Sequence, residues 1–373
     1  MHILIAPNAF KNSLDAMQVA KAIEQGLKQS RLHCTTECFP IADGGDGTGS
    51  LVIERCKGAI VSQHVHDPLG RKIDSRFGLI DNGKTAIIEM ADASGLRLLK
   101  REELNPMQTS SYGTGELINA ALDKGATKII IAMGGSATVD GGCGILKALG
   151  IEFLDKDGKR LKAVPDELLK MVKIDDSGLD RRIHDTEIVI LCDVNNKLLG
   201  PEGAAAVFGP QKGASTADVK LLDIFLANFA AVSKAQLGTD MAAIKHGGAA
   251  GGATAGLHTW LNAKLVNGIE YFLSLTGFDQ ALKNADLVIT GEGSIDMQTL
   301  QGKGPYGVAV EAKKKKNLRI IGLAGKIVKD ETLDKYFDEL ISINKPSFDM
   351  VEAMKNTKKN LINTAMELGN RMA

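Results

Sequence analysis

The chain has 373 residues, 44% of them hydrophobic and 24% charged, with Lys plus Arg balancing Asp plus Glu at 45 each. That length holds roughly two domains with cores of their own, and the composition excludes a disordered or fibrous chain. A zero net charge argues against a nucleic-acid partner held by many phosphate contacts, and no apolar run approaches the ~20 residues that span a bilayer.

The N-terminus, MHILIAP, reads as a short strand and not as a signal peptide. Five cysteines without metal-like pairing fit a reducing cytoplasm, with Cys143 and Cys192 as small buried hydrophobes. Glycine is in excess at 41 residues, about 11% against a usual ~7%, and it is clustered.

In chain order, His2–Ala6 is the first expected strand. A helix over Leu14–Lys28 follows, with Ser13 as its cap. Thr85–Ala91 reads as a strand, Tyr112–Lys124 as a helix stopped at Gly125, and Lys128–Met133 as another strand. Lys156–Lys159 is a hairpin-turn signal. Asp185–Val194 contains EIVILC, the continuous apolar run of a strand covered on both faces. Ser215 and Asp218 form a capping box opening a long helix through Leu237. Leu287–Thr290 and Arg319–Leu323 are further buried strands. Lys313–Lys316 reads as the solvated last turn of a helix, and a final helix runs from about Phe348 to the terminus. Strands alternating with helices imply α/β architecture with mainly parallel sheets and some antiparallel pairing.

Glycine-rich polar segments follow several of these strands, where open α/β sheets bind ligands. Asp43-Gly-Gly-Asp46-Gly-Thr48 offers two carboxylates that suit Mg²⁺ or hydroxyl groups, or simply a turn. Gly134-Gly135-Ser136-Ala-Thr138 follows a strand and precedes a helix, which suits an anion; a structural turn is the alternative. Thr290-Gly-Glu292-Gly-Ser294-Ile-Asp296 has Gly-x-Gly, but Asp296 takes the third glycine position and would repel a pyrophosphate. Lys303, before Pro305 at a helix start, either meets a phosphate or lies in water. Gly247–Gly256 permits close helix packing or close approach to a ligand. Asp193, at the end of EIVILC, is placed as a general base or as a turn cap, and Lys11 lies in the first strand-to-helix loop. Together these are the parts that phosphoryl transfer to a small polar acceptor needs. A two-lobed binding protein without chemistry, or a nicotinamide dehydrogenase, fits less well.

The words PNAFKNSL (7–14), PIADGGDGT (40–48), DPLGR (67–71), EMADASGL (89–96), YGTGELI (112–118), GGSATVDGG (134–142), CDVNNKLLGPEGAAAVFGPQKGA (192–214), GAAGG (248–252) and GEGSIDMQTLQGKGP (291–305) occur in an order that is specific. On them the chain resembles the bacterial class I glycerate kinases. The resemblance implies an enzyme that uses ATP and Mg²⁺ to phosphorylate D-glycerate, and a homodimer stays open. It implies two α/β domains with the active-site cleft between them. One, flavodoxin/Rossmann-like with a parallel sheet, spans 1–80 plus 285–373; the other, mixed α/β, spans 81–284.

From residue type and expected position, the expected mechanism is in-line transfer with the following roles. Asp193 or Asp296 accepts the hydroxyl proton. Lys11 and Lys303 stabilise the transferring group or bind the glycerate carboxylate. Gly135, Ser136, Thr138 and Ser294 bind phosphate or substrate, and some of Asp43, Asp46, Glu292 and Asp296 hold Mg²⁺. The expected product is 2-phosphoglycerate, with 3-phosphoglycerate or another small hydroxy acid as the alternative. Asn12 and Asp46 stand where Gly and often Glu are expected.

Overall fold

A computed structural model describes residues 1–192, 194–315, 318–345 and 349–373. The first elements are β1 (His2–Pro7), α1 (Ala16–Gln29), β2 (Thr35–Cys38), α2 (Thr48–Arg55), β3 (Ala59–His66), β4 (Lys72–Ile80), β5 (Thr85–Glu89) and α3 (Met90–Ser94). Next come α4 (Tyr112–Asp123), β6 (Lys128–Ala132), α5 (Cys143–Ala148), β7 (Glu152–Leu154), α6 (Pro165–Leu168), β8 (Lys173–Asp175), β9 (Glu187–Cys192), α7 (Ala204–Phe208), α8 (Thr216–Leu237) and α9 (Ala253–Leu261). The chain closes with β10 (Lys264–Asn267), α10 (Gly268–Leu275), α11 (Phe278–Lys283), β11 (Leu287–Ile295), α12 (Gly304–Lys313), β12 (Arg319–Ile327), β13 (Glu339–Ser342) and α13 (Met350–Met372). Among the described residues no helix is long and apolar enough to cross a membrane.

Two compact units divide the chain: residues 1–43 with 267–373, and residues 44–266. The boundaries differ from those expected near 80 and 285 for identifiable reasons. β3 and β4 hydrogen-bond to each other and then to β5, which binds residues 59–80 to the central sheet. At the other end the Asn267 side chain caps α10, and α10 packs on α12.

The first unit is a five-stranded sheet of order β13-β12-β11-β1-β2, parallel throughout. Numbered within the unit, that order is 2-1-3-4-5, the flavodoxin-like arrangement. Ile3, Leu4, Ile5 and Ala6 are all buried, as a strand covered on both faces requires. Val19 and Ile23 of α1 and Leu361 and Leu368 of α13 join Ile3, Ile5, Ile289 and Ile321 in one core.

Two local expectations differ here, and the reading of the lysine run as a helix end holds for its described residues. The cap of α1 is Asp15, which receives the Gln18 amide in a capping box, while Ser13 donates its hydroxyl to the Met354 carbonyl. β11 does not stop at Thr290 but runs through the Gly-x-Gly segment, because β12 supplies ladder partners as far as Ile295. The lysine run ends α12: Lys313 pairs with Asp338, and Lys315 donates to the Leu282 and Ala285 carbonyls. Lys316 lies outside the described residues, as does the expected helix start at Phe348.

The second unit holds a six-stranded sheet of order β10-β9-β6-β5-β4-β3. β5, β6 and β9 run parallel, and β3 and β4 antiparallel. β7 and β8 form a separate antiparallel pair, and the Lys156–Lys159 turn closes with the Lys159 carbonyl accepting from the Asp155 amide. The Ser215–Asp218 capping box is present at the start of α8. α4, α5, α8 and α9 cover a core centred on Ile129, Ile131, Ile188, Ile190, Phe225 and Phe229.

Gly26 shows how tightly α1 and α13 meet. A methyl group there would stand 2.2 Å from the Ile362 carbonyl oxygen and 2.7 Å from Cβ of Ala365. Alanine would gain roughly 1 kcal/mol in helix propensity, but backbone cannot yield as a side chain does, and overpacking costs about 1–3 kcal/mol. Gly26→Ala is therefore expected to lower stability in urea unfolding; equal or greater stability would show that the helices separate freely.

Candidate active site

In the first unit, functional side chains gather where β1 and β11 end. This is the switch point of the sheet, where connections diverge to opposite sides and leave a crevice. The Asn8 amide group follows β1 and donates to Asp43 Oδ2 at 3.0 Å. Lys11 lies three residues on, exposed. Asn12 adopts φ +63°, in the left-handed region that glycine and asparagine tolerate, which accounts for the departure at that position.

Glu292, on β11, is 8% exposed and accepts from Thr299 Oγ1 at 3.0 Å. Burial pushes its carboxyl up to about 7; the Lys303 and Lys11 charges oppose this and the Asp43 charge adds to it. Lys303 precedes α12, with Pro305 in the helix's first turn, and Gly304 lies against Asn8. Lys11, Asp43, Glu292 and Lys303 thus form one electrostatic group. Asp296 instead builds the turn after β11: Oδ1 accepts from the Gln298 amide at 2.8 Å, and the Ser294 hydroxyl lies 3.4 Å from Oδ2.

In the second unit the parallel strands β5, β6 and β9 end side by side. Gly134 follows β6 and lies against the backbone of Gly45 and Asp46, where a Cβ would approach within 2.4 Å. Gly135, at φ +70°, turns the chain towards Ser136. The Leu96 amide donates to the Gly135 carbonyl, and the Ala137 amide to the Ser94 carbonyl. Asp46 pairs with Arg97 Nη1 at 2.7 Å, and Arg97 also pairs with Asp92. Thr138 is buried, and its hydroxyl has no hydrogen-bond partner among the described residues. The helix after this loop, α5, has only six residues. An anion there would rely on the loop's own geometry and not on a long helix dipole. Asp193 directly follows β9 and lies outside the described residues.

Gly251 and Gly256 press on the carbonyls of Thr138 and Gly141, so that glycine-rich segment acts by close packing. His66 pairs with Glu116 and His64 with Asp74.

Sequence reasoning passes over three further residues. Glu89 ends β5 at 5% exposure and accepts from the Gly49 and Ser50 amides of α2. Burial pushes its carboxyl up to about 7, with Asp92 adding to the shift. Arg97 is committed between Asp46 and Asp92. Lys212 is 3% exposed beneath the Ser136 loop. EMADASGL holds Glu89 and Asp92, and PQKGA holds Lys212. An acid inside an apolar strand and a lysine between Pro and Gly were the available signals.

Asp43 and Glu292 supply hard oxygen donors, and Asp43 acts electrostatically on Glu292. No group of three or more such ligands is assembled among the described residues. Mg²⁺ needs no such cage, since it commonly takes one or two carboxylates and completes its shell with water and phosphate. The residues therefore fit that ion.

Cations and carboxylates at strand ends suit an enzyme that transfers a phosphoryl group to a small acceptor. Comparison with known proteins narrows this class. The model of the Glycerate kinase family matches residues 3–373, and the chain belongs to that family. It is 42% identical to the glycerate kinase of Bacillus subtilis, over 99% of this chain and 97% of that one. It is 44% identical to the glycerate 2-kinase of Escherichia coli, over 92% and 91%. A crystal structure named for a glycerate kinase 2 of Salmonella typhimurium LT2 superposes with a TM-score of 0.84 at 41% identity, covering 100% of this chain and 98% of that one.

Glu292 yields a pH test. Its carboxyl ionises near 7 in the fold and near 4.5 unfolded, so the fold binds the proton more tightly between those values. The penalty for the buried charge is absent below about pH 4.5 and complete above about 7. Glu292→Gln keeps an acceptor for Thr299 and cannot ionise. Its stability relative to wild type is expected to rise by about 1–3 kcal/mol between acid and mildly alkaline pH. Urea unfolding across that range measures it; a pH-independent difference would refute the buried-charge account.

Proposed function

We propose that this enzyme transfers the γ-phosphoryl group of ATP, with Mg²⁺, to the 2-hydroxyl of D-glycerate, giving 2-phosphoglycerate in the cytoplasm. The observation that carries the position is the 44% identity to the E. coli protein named glycerate 2-kinase, over 92% of this chain.

Asp43 and Glu292 would hold Mg²⁺. Mg²⁺ supplies neutralisation of phosphate charge when bound. Lys11 and Lys303 attract the anionic substrate and offset charge on the transferring group. Gly135, Ser136 and Thr138 receive phosphate oxygens, and the Ser294 hydroxyl donates to substrate. Asp193 accepts the proton of the glycerate hydroxyl. Asp296 is the weaker candidate for that step, because its carboxylate already serves the turn at Gln298.

Purified enzyme with Mg·ATP and D-glycerate is expected to yield 2-phosphoglycerate in the ³¹P spectrum. A 3-phosphoglycerate signal would reverse the position, and intact ATP would remove glycerate as the substrate. Asp193→Asn is expected to lower kcat by ~10²–10⁴ while the protein stays folded. A near-normal kcat in that variant would end the assignment of the base.

A further inference from the structure

Lys212 is the buried cation that the roles above leave unused. It ends a short turn, Pro210–Lys212, and Gly213 follows at φ +97° with its α-carbon against the Leu104 backbone, where no side chain fits. This anchors the lysine from below. Its Nζ donates to Ser136 Oγ at 2.8 Å and to the Thr138 carbonyl oxygen at 2.7 Å. Both partners are neutral oxygens.

A serine hydroxyl has one proton and two lone pairs. With an ammonium donating into the Ser136 oxygen, its proton must point elsewhere. Thr138, on the same loop, holds a second buried hydroxyl without a partner among the described residues. A buried ammonium set against neutral oxygens is costly unless an anion compensates it.

We propose that Lys212 is a positioning residue for the phosphoryl-transfer reaction: it fixes Ser136 so that the hydroxyl donates outward to a phosphate oxygen of the nucleotide, and it places a positive charge beneath that phosphate. This rests on the reading that the Ser136 loop binds nucleotide phosphate. Burial lowers the ammonium pKa to about 7, and Asp140, the charged group acting on it from the same loop, opposes that fall. Above that pH part of the population is neutral, and a bound phosphate favours the charged form. Nucleotide binding therefore takes up a proton.

Calorimetric titration of the enzyme with Mg·ADP, at mildly alkaline pH in two buffers of different ionisation heat, reads both affinity and proton count. Wild type is expected to take up a proton. Lys212→Met, with wild-type circular dichroism, is expected to lose about tenfold or more in ADP affinity and the proton uptake with it, as a lost charged hydrogen bond predicts. Its KM for ATP should rise more than its kcat falls. Ser136→Ala should also weaken ADP binding, and the double variant should bind no more weakly than Lys212→Met, because one residue acts through the other.

If Lys212→Met binds ADP normally while Ser136→Ala does not, Lys212 has no such role and the loop reading stands. If Ser136→Ala also binds normally, the loop reading itself falls, and with it the proposal. Should Lys212→Met fail to fold, wild type decides: ADP binding without proton uptake overturns the proposal.

Discussion

A carboxylate wholly withdrawn from solvent must find its hydrogen bonds within the protein, and Asp140 finds four. Oδ2 accepts from the Ser111 amide at 2.8 Å, the Ser111 hydroxyl at 2.7 Å and the Gly144 amide at 3.1 Å; Oδ1 accepts from the Gly142 amide at 3.1 Å. Deleting it would leave those donors stranded in a dry interior, which is far more costly than the bonds are individually worth. The network ties the start of α4 to the start of α5 and so fixes the C-terminal end of the segment that carries Ser136 and Thr138. Gly251 and Gly256 can then close on its far side at backbone distance. The loop is rigid because it is over-determined, and Lys212 can hold Ser136 in one orientation only because the loop does not move away.

The first unit solves a different problem. A parallel sheet of order 2-1-3-4-5 leaves a crevice at the ends of β1 and β11, and Asn8, Asp43 and Glu292 line up there. Burial pushes the Glu292 carboxyl up, Asp43 adds to the shift, and Lys303 and Lys11 restrain it. The result is a carboxylate near the balance between its two forms, which a cation would readily convert to the charged one. Stability is sacrificed locally to keep such a group in a buried position.

Much of this was legible from the residues. EIVILC read as a strand covered on both faces, as β9 is, and Ser215 with Asp218 marked the start of α8. The glycine clusters marked close backbone approach. The failures have physical causes. Polar, glycine-rich residues after Thr290 read as a loop, but the neighbouring strand β12 supplies a ladder that local composition cannot reveal. Ser13 is a good capping residue two positions too early; Asp15 and Gln18 close the box because the helix axis is set by packing against α13. Residues 59–80 fall in the second unit because β3 pairs with β4, and β4 with β5 across a short turn, so the hairpin carries them into the central sheet. Lys212 was missed because a lysine between Pro and Gly ordinarily lies in water, and only the fold shows it buried under a loop more than seventy residues away in sequence.

Charge accounting separates the cations further. Glycerate brings a carboxylate and the nucleotide a polyphosphate, so an enzyme joining them must offset several negative charges. Arg97 is poorly available for this. It sits between Asp46 and Asp92, and burial raises the Asp92 carboxyl while Arg97 opposes that shift. Drawing Arg97 to a ligand would expose two carboxylates to each other's repulsion. Lys11 and Lys303 have no ion pair within the described residues, and Lys212 donates to neutral oxygens. Lys11 and Lys303 are therefore cations of the first unit free to meet an incoming anion, and Lys212 is one of the second, whereas the arginine is committed to holding its own carboxylates in place.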